Sequence, residues 1–164
     1  MELIDIGCNL THDSFDEDLD TVLERARSAG VAQFIVTGAS HEGSQKAYEL
    51  ACEYPGELYA TAGVHPHRAD TFEDSTEQLI RTLSEREEVV AVGETGLDYF
   101  RDFSPRDVQR QVFEQHIDIA TETGLPMFLH LRDAHDDFHA MLNEARGRLS
   151  EVVVHCLTGS RQEL

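Results

Sequence analysis

Acidic and imidazole side chains stand where several short apolar runs of the sequence end, and these residue types can bind a metal ion. Glu94 directly follows one run, and His130 and His155 each end another. A carboxylate with two imidazoles forms a donor set for a divalent cation. A lone histidine at such a position is more often a hydrogen-bonded structural residue, but the repetition after three runs favours metal binding.

Other histidines leave their roles open at this stage. His65 and His67 flank Pro66 and fit two interpretations equally well, as turn residues or as two imidazoles that point to the same site. His135 comes two residues after Asp133 and is kept as a further candidate. The remaining histidines are expected to be surface or packing residues.

Three arginines also follow apolar runs, namely Arg68, Arg101 and Arg132. A guanidinium binds two phosphate oxygens at once, so this pattern indicates a phosphorylated substrate. Each arginine also has an aspartate one or two residues further along the chain, and pairing with that aspartate explains it equally well.

The elements that must position these residues alternate between short apolar runs and longer amphipathic stretches. Six runs are predicted to be strands: Leu3–Ile6, Gln33–Thr37, Leu58–Val64, Val89–Gly93, Pro126–His130 and Val152–His155. Five stretches are predicted to be helices: Asp16–Ala29, His41–Tyr54, Ser75–Arg86, Ser104–Thr123 and Asp133–Arg148. Ser104 is expected to cap the fourth helix, and Gly124 is expected to end it.

Continuous apolar strands that alternate with helices indicate a parallel α/β sheet buried on both faces. Two architectures fit: an open doubly wound sheet, or a (β/α)8 barrel, which needs about 250 residues. In a barrel the carboxyl ends of all strands open on one face, so the polar residues at those ends converge. No linker divides the chain, so one domain over residues 1–164 is predicted, and another helix is expected to begin at Ser160–Leu164.

The composition limits the classes of function. Thirteen Lys and Arg against 32 Asp and Glu give a net charge of −19, which is too acidic for a general coat on nucleic acid. No run of about 18 apolar residues predicts a membrane helix, and the acidic start is unlike a secretory signal. Three widely spaced cysteines do not indicate a disulfide scaffold. We therefore expect a cytoplasmic protein without membrane contact.

Five segments resemble those of the TatD-like metal-dependent nucleases, a branch of the barrel-fold metallohydrolases. In chain order they are Asp5–Leu10 (DIGCNL), Thr61–His67 (TAGVHPH), Val92–Asp98 (VGETGLD), Phe128–His135 (FLHLRDAH) and His155–Gly159 (HCLTG). They occur in the family's order from end to end of the chain. The resemblance implies an α/β fold of the TIM-type (β/α)8 barrel family, here with about six of the eight β/α units.

The resemblance also implies the residues of the site. The metal-binding and catalytic residues are expected to be Glu94, His130 and His155. The substrate-binding residues are expected to be His65, His67 and Arg132. The metal is expected to be Mg²⁺, with Mn²⁺ or Zn²⁺ as alternatives.

Two features of the family pattern are missing from the sequence. Many relatives carry Asp-x-His-x-His on the first strand, whereas Gly7 and Asn9 stand there in this chain, so a second metal is not expected although Asp5 is retained. The family's last ligand, an aspartate in a Glu-Thr-Asp segment after a seventh strand, is not in the sequence. We therefore expect a C-terminally truncated barrel with weak activity, whose open edges lead to self-association.

The activity that the resemblance implies is that of a deoxyribonuclease or 3′-to-5′ exonuclease on single-stranded DNA or RNA. A metal ion would lower the pKa of a water molecule and polarise a phosphoryl oxygen. Two alternatives remain. One is a metal-dependent hydrolase of amides or small phosphate esters on the same fold. The other is a non-catalytic fragment that acts through a partner covering its open edges.

Overall fold

The computed structural model describes residues 2–160, and its strands form one parallel sheet with helices in the connections. The strands are β1 (Leu3–Cys8), β2 (Val31–Val36), β3 (Leu58–Ala62), β4 (Val89–Asp98), β5 (Met127–Arg132) and β6 (Val152–His155). The helices are α1 (Leu19–Ser28), α2 (His41–Glu53), α3 (Asp74–Leu83), α4 (Arg106–Thr123) and α5 (His135–Ala145). Short 3₁₀ helices cover Asp13–Phe15 and Pro66–Thr71. None of the described helices has the length and apolar character needed to span a membrane.

The strands lie side by side in chain order from β1 to β6, and every neighbouring pair is parallel. A doubly wound sheet reverses its strand order partway across, whereas a barrel adds each strand beside the previous one. The structure therefore confirms an incomplete barrel of six strands and excludes the doubly wound alternative. The predicted elements are found with ends shifted by a few residues, and the helix expected at Ser160–Leu164 falls almost wholly outside the described residues.

Strand β4 continues past the predicted end at Gly93 and contains Glu94, so the placement of Glu94 after the strand was wrong. The prediction stopped there because Gly-Glu-Thr-Gly interrupts the apolar pattern. In the structure, Gly96 pairs with His130 and Asp98 pairs with Arg132, after a register shift between Gly93 and Thr95. Sheet hydrogen bonds join backbone groups, so the strand continues although its side chains become polar.

Helix α4 ends as predicted but begins differently. Gly124 has φ +72° and its N–H donates to the carbonyl of Ala120, which is the expected C-terminal arrangement. The expected cap at Ser104 was wrong, because α4 starts at Arg106 and Ser104 is not its N-cap. The Ser104 hydroxyl is fully buried and instead donates to Asp70 Oδ1 at 3.1 Å, which joins the segment before α4 to the 3₁₀ helix after β3.

The hydrophobic core lies between the sheet and the helices that pack on it. Leu23 of α1, Ile80 of α3 and Phe113 of α4 are fully buried, as is Leu129 of β5. The rings of Phe113 and Phe138 stack with centroids 5.2 Å apart and so join α4 to α5. This packing holds β3, β4 and β5 in fixed positions, and these strands carry or lead into most of the chemically active side chains.

The two outer strands of the sheet expose apolar side chains. On β1, Leu3, Ile4 and Ile6 are between 43% and 55% exposed, and on β6 Val152 and Val153 are 41% and 44% exposed. Exposed edges with apolar side chains favour pairing with further strands or with another chain. Self-association through these edges stays a prediction.

His116 is a buried histidine that belongs to the core and is not one of the residues predicted to bind a metal ion. Its Nδ1–H donates to the carbonyl of Val112 at 2.7 Å, and its Nε2 accepts from the N–H of Val64 at 3.1 Å. Burial lowers the pKa of His116 from 6.5 to about 4, although the bond to Val112 opposes that change. The imidazole is therefore neutral in the folded chain at pH 7.

We expect the free energy of unfolding to fall as the pH is lowered from 6.5 to 4, because the unfolded chain protonates His116 first. His116→Gln should reduce that loss by about 2 kcal/mol. Urea unfolding in EDTA at several pH values measures this pH dependence of the free energy of unfolding. His139 lies exposed on α5, and the matched His139→Gln variant should keep the wild-type dependence. Equal pH dependence in wild type and His116→Gln would contradict the prediction.

Candidate functional site

The carboxylate of Glu94 stands at the centre of a cluster of imidazoles on the carboxyl side of the sheet. Its Oε1 atom lies 2.6 Å from His155 Nε2, 3.3 Å from His130 Nδ1 and 3.5 Å from His65 Nε2. Glu94 and His130 are 8% and 5% exposed. Three imidazoles from three separate segments therefore place ring nitrogens around one carboxylate oxygen.

Packing fixes the directions of these side chains. The His155 ring stacks on Phe128 of β5, with centroids 4.6 Å apart and the planes inclined by 25°. The His65 ring meets the His130 ring edge-on at 4.4 Å, and His65 Nε2 lies 3.2 Å from His130 Nδ1. The cleft beside them has a volume of about 390 Å³, and Arg68 and His67 also line it.

The electrostatic surroundings keep Glu94 ionised. Burial alone would raise the pKa of Glu94, but hydrogen bonds from His130 and His155 hold it at about 2, below its usual 4.5. Burial lowers the pKa of His65 from 6.5 to about 4, against the opposing effect of Glu94. At pH 7 the cluster thus presents a carboxylate beside a neutral imidazole, the forms that bind a cation.

The donor set fits a divalent metal ion. Ligand atoms of His65, Glu94 and His130 all lie within 4.8 Å of one another, and the same holds for His130, His155 and Cys156. A buried carboxylate surrounded by imidazole nitrogens is the kind of site that divalent ions occupy in proteins. The three residues predicted as ligands are divided between these two groups, which share His130, and Glu94 Oε1 lies close to both His130 and His155.

Asp98 is a central residue that the sequence analysis did not assign. It is 0% exposed, and its Oδ2 accepts from His67 Nε2–H at 2.7 Å and from His130 Nε2–H at 3.0 Å. Its Oδ1 accepts from the backbone N–H groups of Phe100 and Arg101. Burial raises the pKa of Asp98, but these hydrogen bonds outweigh burial and lower it.

The bond from His130 to Asp98 has a consequence for metal binding. In the chain without a cation, Nδ1–H of His130 faces Glu94, and the Nε2 proton held by Asp98 would leave the Nδ1 lone pair available once a cation displaced that Nδ1 proton. The signal for Asp98 was present in the sequence, because it is a second acidic residue in the same Val92–Asp98 segment that contains Glu94.

The remaining predicted residues are dispersed around this cluster. His67 is in the cleft lining, with its ring 4.2 Å from the His65 ring. The guanidinium of Arg132 is not in that lining and instead lies 4.1 Å above the ring of Phe100. Arg101 also faces this ring, at 5.8 Å.

Several other candidates stay outside the cluster. Asp5 is exposed on β1 and does not line the cleft, whereas Gly7 and Asn9 do. His135 begins α5 and stacks on His139 with ring centroids 5.7 Å apart.

Cys156 also lines the cleft, although no role was predicted for it from the sequence. Its Sγ lies 3.8 Å from His155 Nδ1, and burial raises the pKa of its thiol.

Gly96 allows β4 and β5 to approach closely behind the cluster. It has φ +135°, and a Cβ atom placed on it would lie 2.1 Å from the carbonyl oxygen of His130. A methyl group there has no room unless the backbone of His130 moves. The glycine therefore determines the position of a predicted metal ligand.

We expect Gly96→Ala to lower the free energy of unfolding by roughly 2–5 kcal/mol, from backbone strain together with the clash. Gly147→Ala is the matched control, because nothing lies within 4 Å of a Cβ atom at Gly147, and its effect should stay within about 0.5 kcal/mol. Urea unfolding compares the two variants. Equal stabilities would show that the close approach at Gly96 is not rigid.

Comparison with known proteins adds independent information on this arrangement. A family model described as TatD related DNase matches residues 4–164. A protein named 3′-5′ ssDNA/RNA exonuclease TatD from Pantoea sp. (strain At-9b) is 46% identical over 162 residues, which are 99% of this chain and 62% of that protein. The protein of the same name from Dickeya dadantii (strain 3937) is 47% identical, over 99% of this chain and 61% of its own length.

A solved structure shows the same architecture. The crystal structure of a hydrolase TatD family protein from Entamoeba histolytica superposes with a TM-score of 0.88 at 32% identity, over 99% of this chain and 60% of that one. The present chain thus spans about three fifths of the length of the proteins that it matches.

Proposed function

The chain belongs to the TatD-related DNase family, and on this premise we propose that it is a metal-dependent hydrolase that releases nucleotides from the 3′ end of single-stranded DNA or RNA. Its relatives carry the name of such an exonuclease at 46% and 47% identity. The observation that supports the proposal most directly is the convergence of His130 and His155 on the buried carboxylate of Glu94.

In this proposal Glu94, His130 and His155 hold the divalent cation and are the catalytic residues. When bound, the cation supplies Lewis acidity, which lowers the pKa of water and polarises a phosphoryl oxygen. Glu94 is ionised at neutral pH, since its pKa is about 2. Asp98 holds the Nε2 proton of His130 and so keeps Nδ1 available as a ligand.

The substrate-binding residues in this proposal are His65, His67 and Arg132. His65 and His67 line the cleft beside Glu94, and Arg68 adds positive charge to the same wall. Guanidinium groups bind phosphate oxygens in pairs, so local positive charge can attract a strand to a chain of net charge −19. Arg132 faces the substrate from beyond the cleft, above Phe100.

We propose Mg²⁺ as the cation, with Mn²⁺ and Zn²⁺ as alternatives. One carboxylate and two imidazoles suit Mn²⁺ and Zn²⁺, and Mg²⁺ binds such a set when water and phosphate oxygens complete its ligands. We also propose that residues 1–164 form one incomplete barrel domain and that it acts in the cytoplasm. Three unpaired cysteines, Cys8, Cys52 and Cys156, are consistent with a reducing compartment.

The experiment that tests the function is the release of nucleotides from a 3′-labelled single strand, with Mg²⁺, Mn²⁺ or EDTA. The 164-residue chain is compared with a version extended to the length of its relatives. Release that is abolished by EDTA and by His130→Ala, but not by His139→Ala on the surface of α5, is the expected result.

If neither version releases nucleotides from DNA or RNA, the proposed activity is contradicted. Assays with amides and small phosphate esters would then test the other chemistry that this fold can perform. Release that persists in EDTA would contradict the role of the cation.

A further inference from the structure

Two phenylalanines between β4 and α4 are unusually exposed. Phe100 is 56% exposed and Phe103 is 65% exposed. Within residues 2–160 they are the only aromatic side chains among the large exposed apolar residues, and the others lie on the outer strands β1 and β6 or at Leu157. Exposed aromatic rings away from a sheet edge are typical of binding surfaces.

Contacts connect both phenylalanines to residues of the candidate metal centre. The ring of Phe103 lies 4.9 Å from the ring of His67, in an edge-on arrangement. The backbone N–H of Phe100 donates to Asp98 Oδ1, and Asp98 Oδ2 accepts from His67 and His130. One buried carboxylate therefore holds the segment with the two rings in a fixed relation to the predicted ligands.

Positive charge accompanies the rings. The guanidinium of Arg132 lies 4.1 Å above the ring of Phe100, and that of Arg101 lies 5.8 Å from it. In the part of the chain that the structure describes, neither guanidinium forms an ion pair with a carboxylate. Both charges thus remain available to a negatively charged ligand, in a chain whose acidic residues outnumber its basic ones by 32 to 13.

We propose that Phe100 and Phe103 form an aromatic platform on which bases of a single nucleic-acid strand stack while its end reaches Glu94. This inference rests on the proposed function and deepens it, because it assigns the recognition of bases to residues other than the metal ligands. Stacking on aromatic rings with arginine beside them is how proteins bind single strands without reading their sequence. A strongly acidic chain gains little from general attraction to phosphates, so contacts with bases must provide much of its affinity.

The test measures binding by fluorescence anisotropy in Mg²⁺, with a labelled single strand whose phosphorothioate linkages resist hydrolysis. A strand of the same length that lacks bases is compared with it. The wild-type chain should bind the strand with bases more tightly, and Phe100→Leu together with Phe103→Leu should weaken that binding about tenfold or more. Affinity for the strand without bases should not change, and Phe100→Trp should keep the affinity of wild type.

Tyr54→Leu is the matched control, because Tyr54 follows α2 and its hydroxyl donates to Asp20, outside the cleft. It should bind both strands as wild type does. If wild type releases nucleotides but binds both strands equally, or if the leucine variants bind as wild type does, the aromatic platform is refuted and the proposed function stands. If wild type neither binds nor cleaves either strand, the proposed function fails and the platform fails with it.

Discussion

Replacing Glu94 with glutamine is expected to lower the affinity of the chain for Mn²⁺ or Mg²⁺ by at least about a hundredfold and to abolish metal-dependent hydrolysis. The glutamine amide has nearly the same shape and can still accept a hydrogen bond from His155 or His130. However, the amide is neutral, whereas the carboxylate of Glu94 is negatively charged. The three surrounding imidazoles cannot supply a negative charge in its place. The change therefore tests the charge at this position rather than the packing.

Isothermal titration with Mn²⁺ measures the affinity directly, whether or not the chain turns over substrate. Glu49→Gln is the matched control, since Glu49 is on the surface of α2, where it accepts from Gln45 and lies outside the cleft. It should bind the ion as wild type does. A Glu94→Gln variant that kept full affinity would show that the cation binds elsewhere.

The second large effect is expected from Asp98→Asn, which should lower cation affinity by about 10- to 100-fold although Asp98 lies behind the predicted ligands. An aspartate accepts four N–H groups here, from two imidazoles and two backbone amides. An asparagine has one oxygen and one NH₂ group. Some of these four N–H groups must therefore face the NH₂ group, which is itself a donor and cannot accept from them. His130 then loses the partner that keeps its proton on Nε2.

The same substitution should also reduce the free energy of unfolding by about 2–4 kcal/mol, because buried donors lose their acceptor. Nitrogen NMR of His130 separates the two effects, since a change of tautomer in the folded variant reports positioning and not merely lower stability. Asp102→Asn is the control within the same connection, because Asp102 is exposed and its carboxylate pairs with Arg106. Unchanged cation affinity in Asp98→Asn would refute a positioning role for this carboxylate.

The sequence by itself determined the alternation of strands and helices and which residues come together on the carboxyl side of the sheet. Apolar runs such as Val152–His155 and the helix that ends at Gly124 are local patterns, and local backbone preferences and burial decide them. Because consecutive parallel strands open on one face, the order of the strands is enough to predict that Glu94, His130 and His155 converge.

Only the tertiary structure decided how those residues are supported. The extension of β4 to Asp98 depends on pairing with β5 across a register shift, which no single strand reveals. The partners of Asp98, the exposure of Phe103 and the position of Arg132 above Phe100 depend on how the connection between β4 and α4 folds back on the sheet. These contacts join residues distant in sequence, and their geometry follows from strand register and packing rather than from side-chain type or spacing.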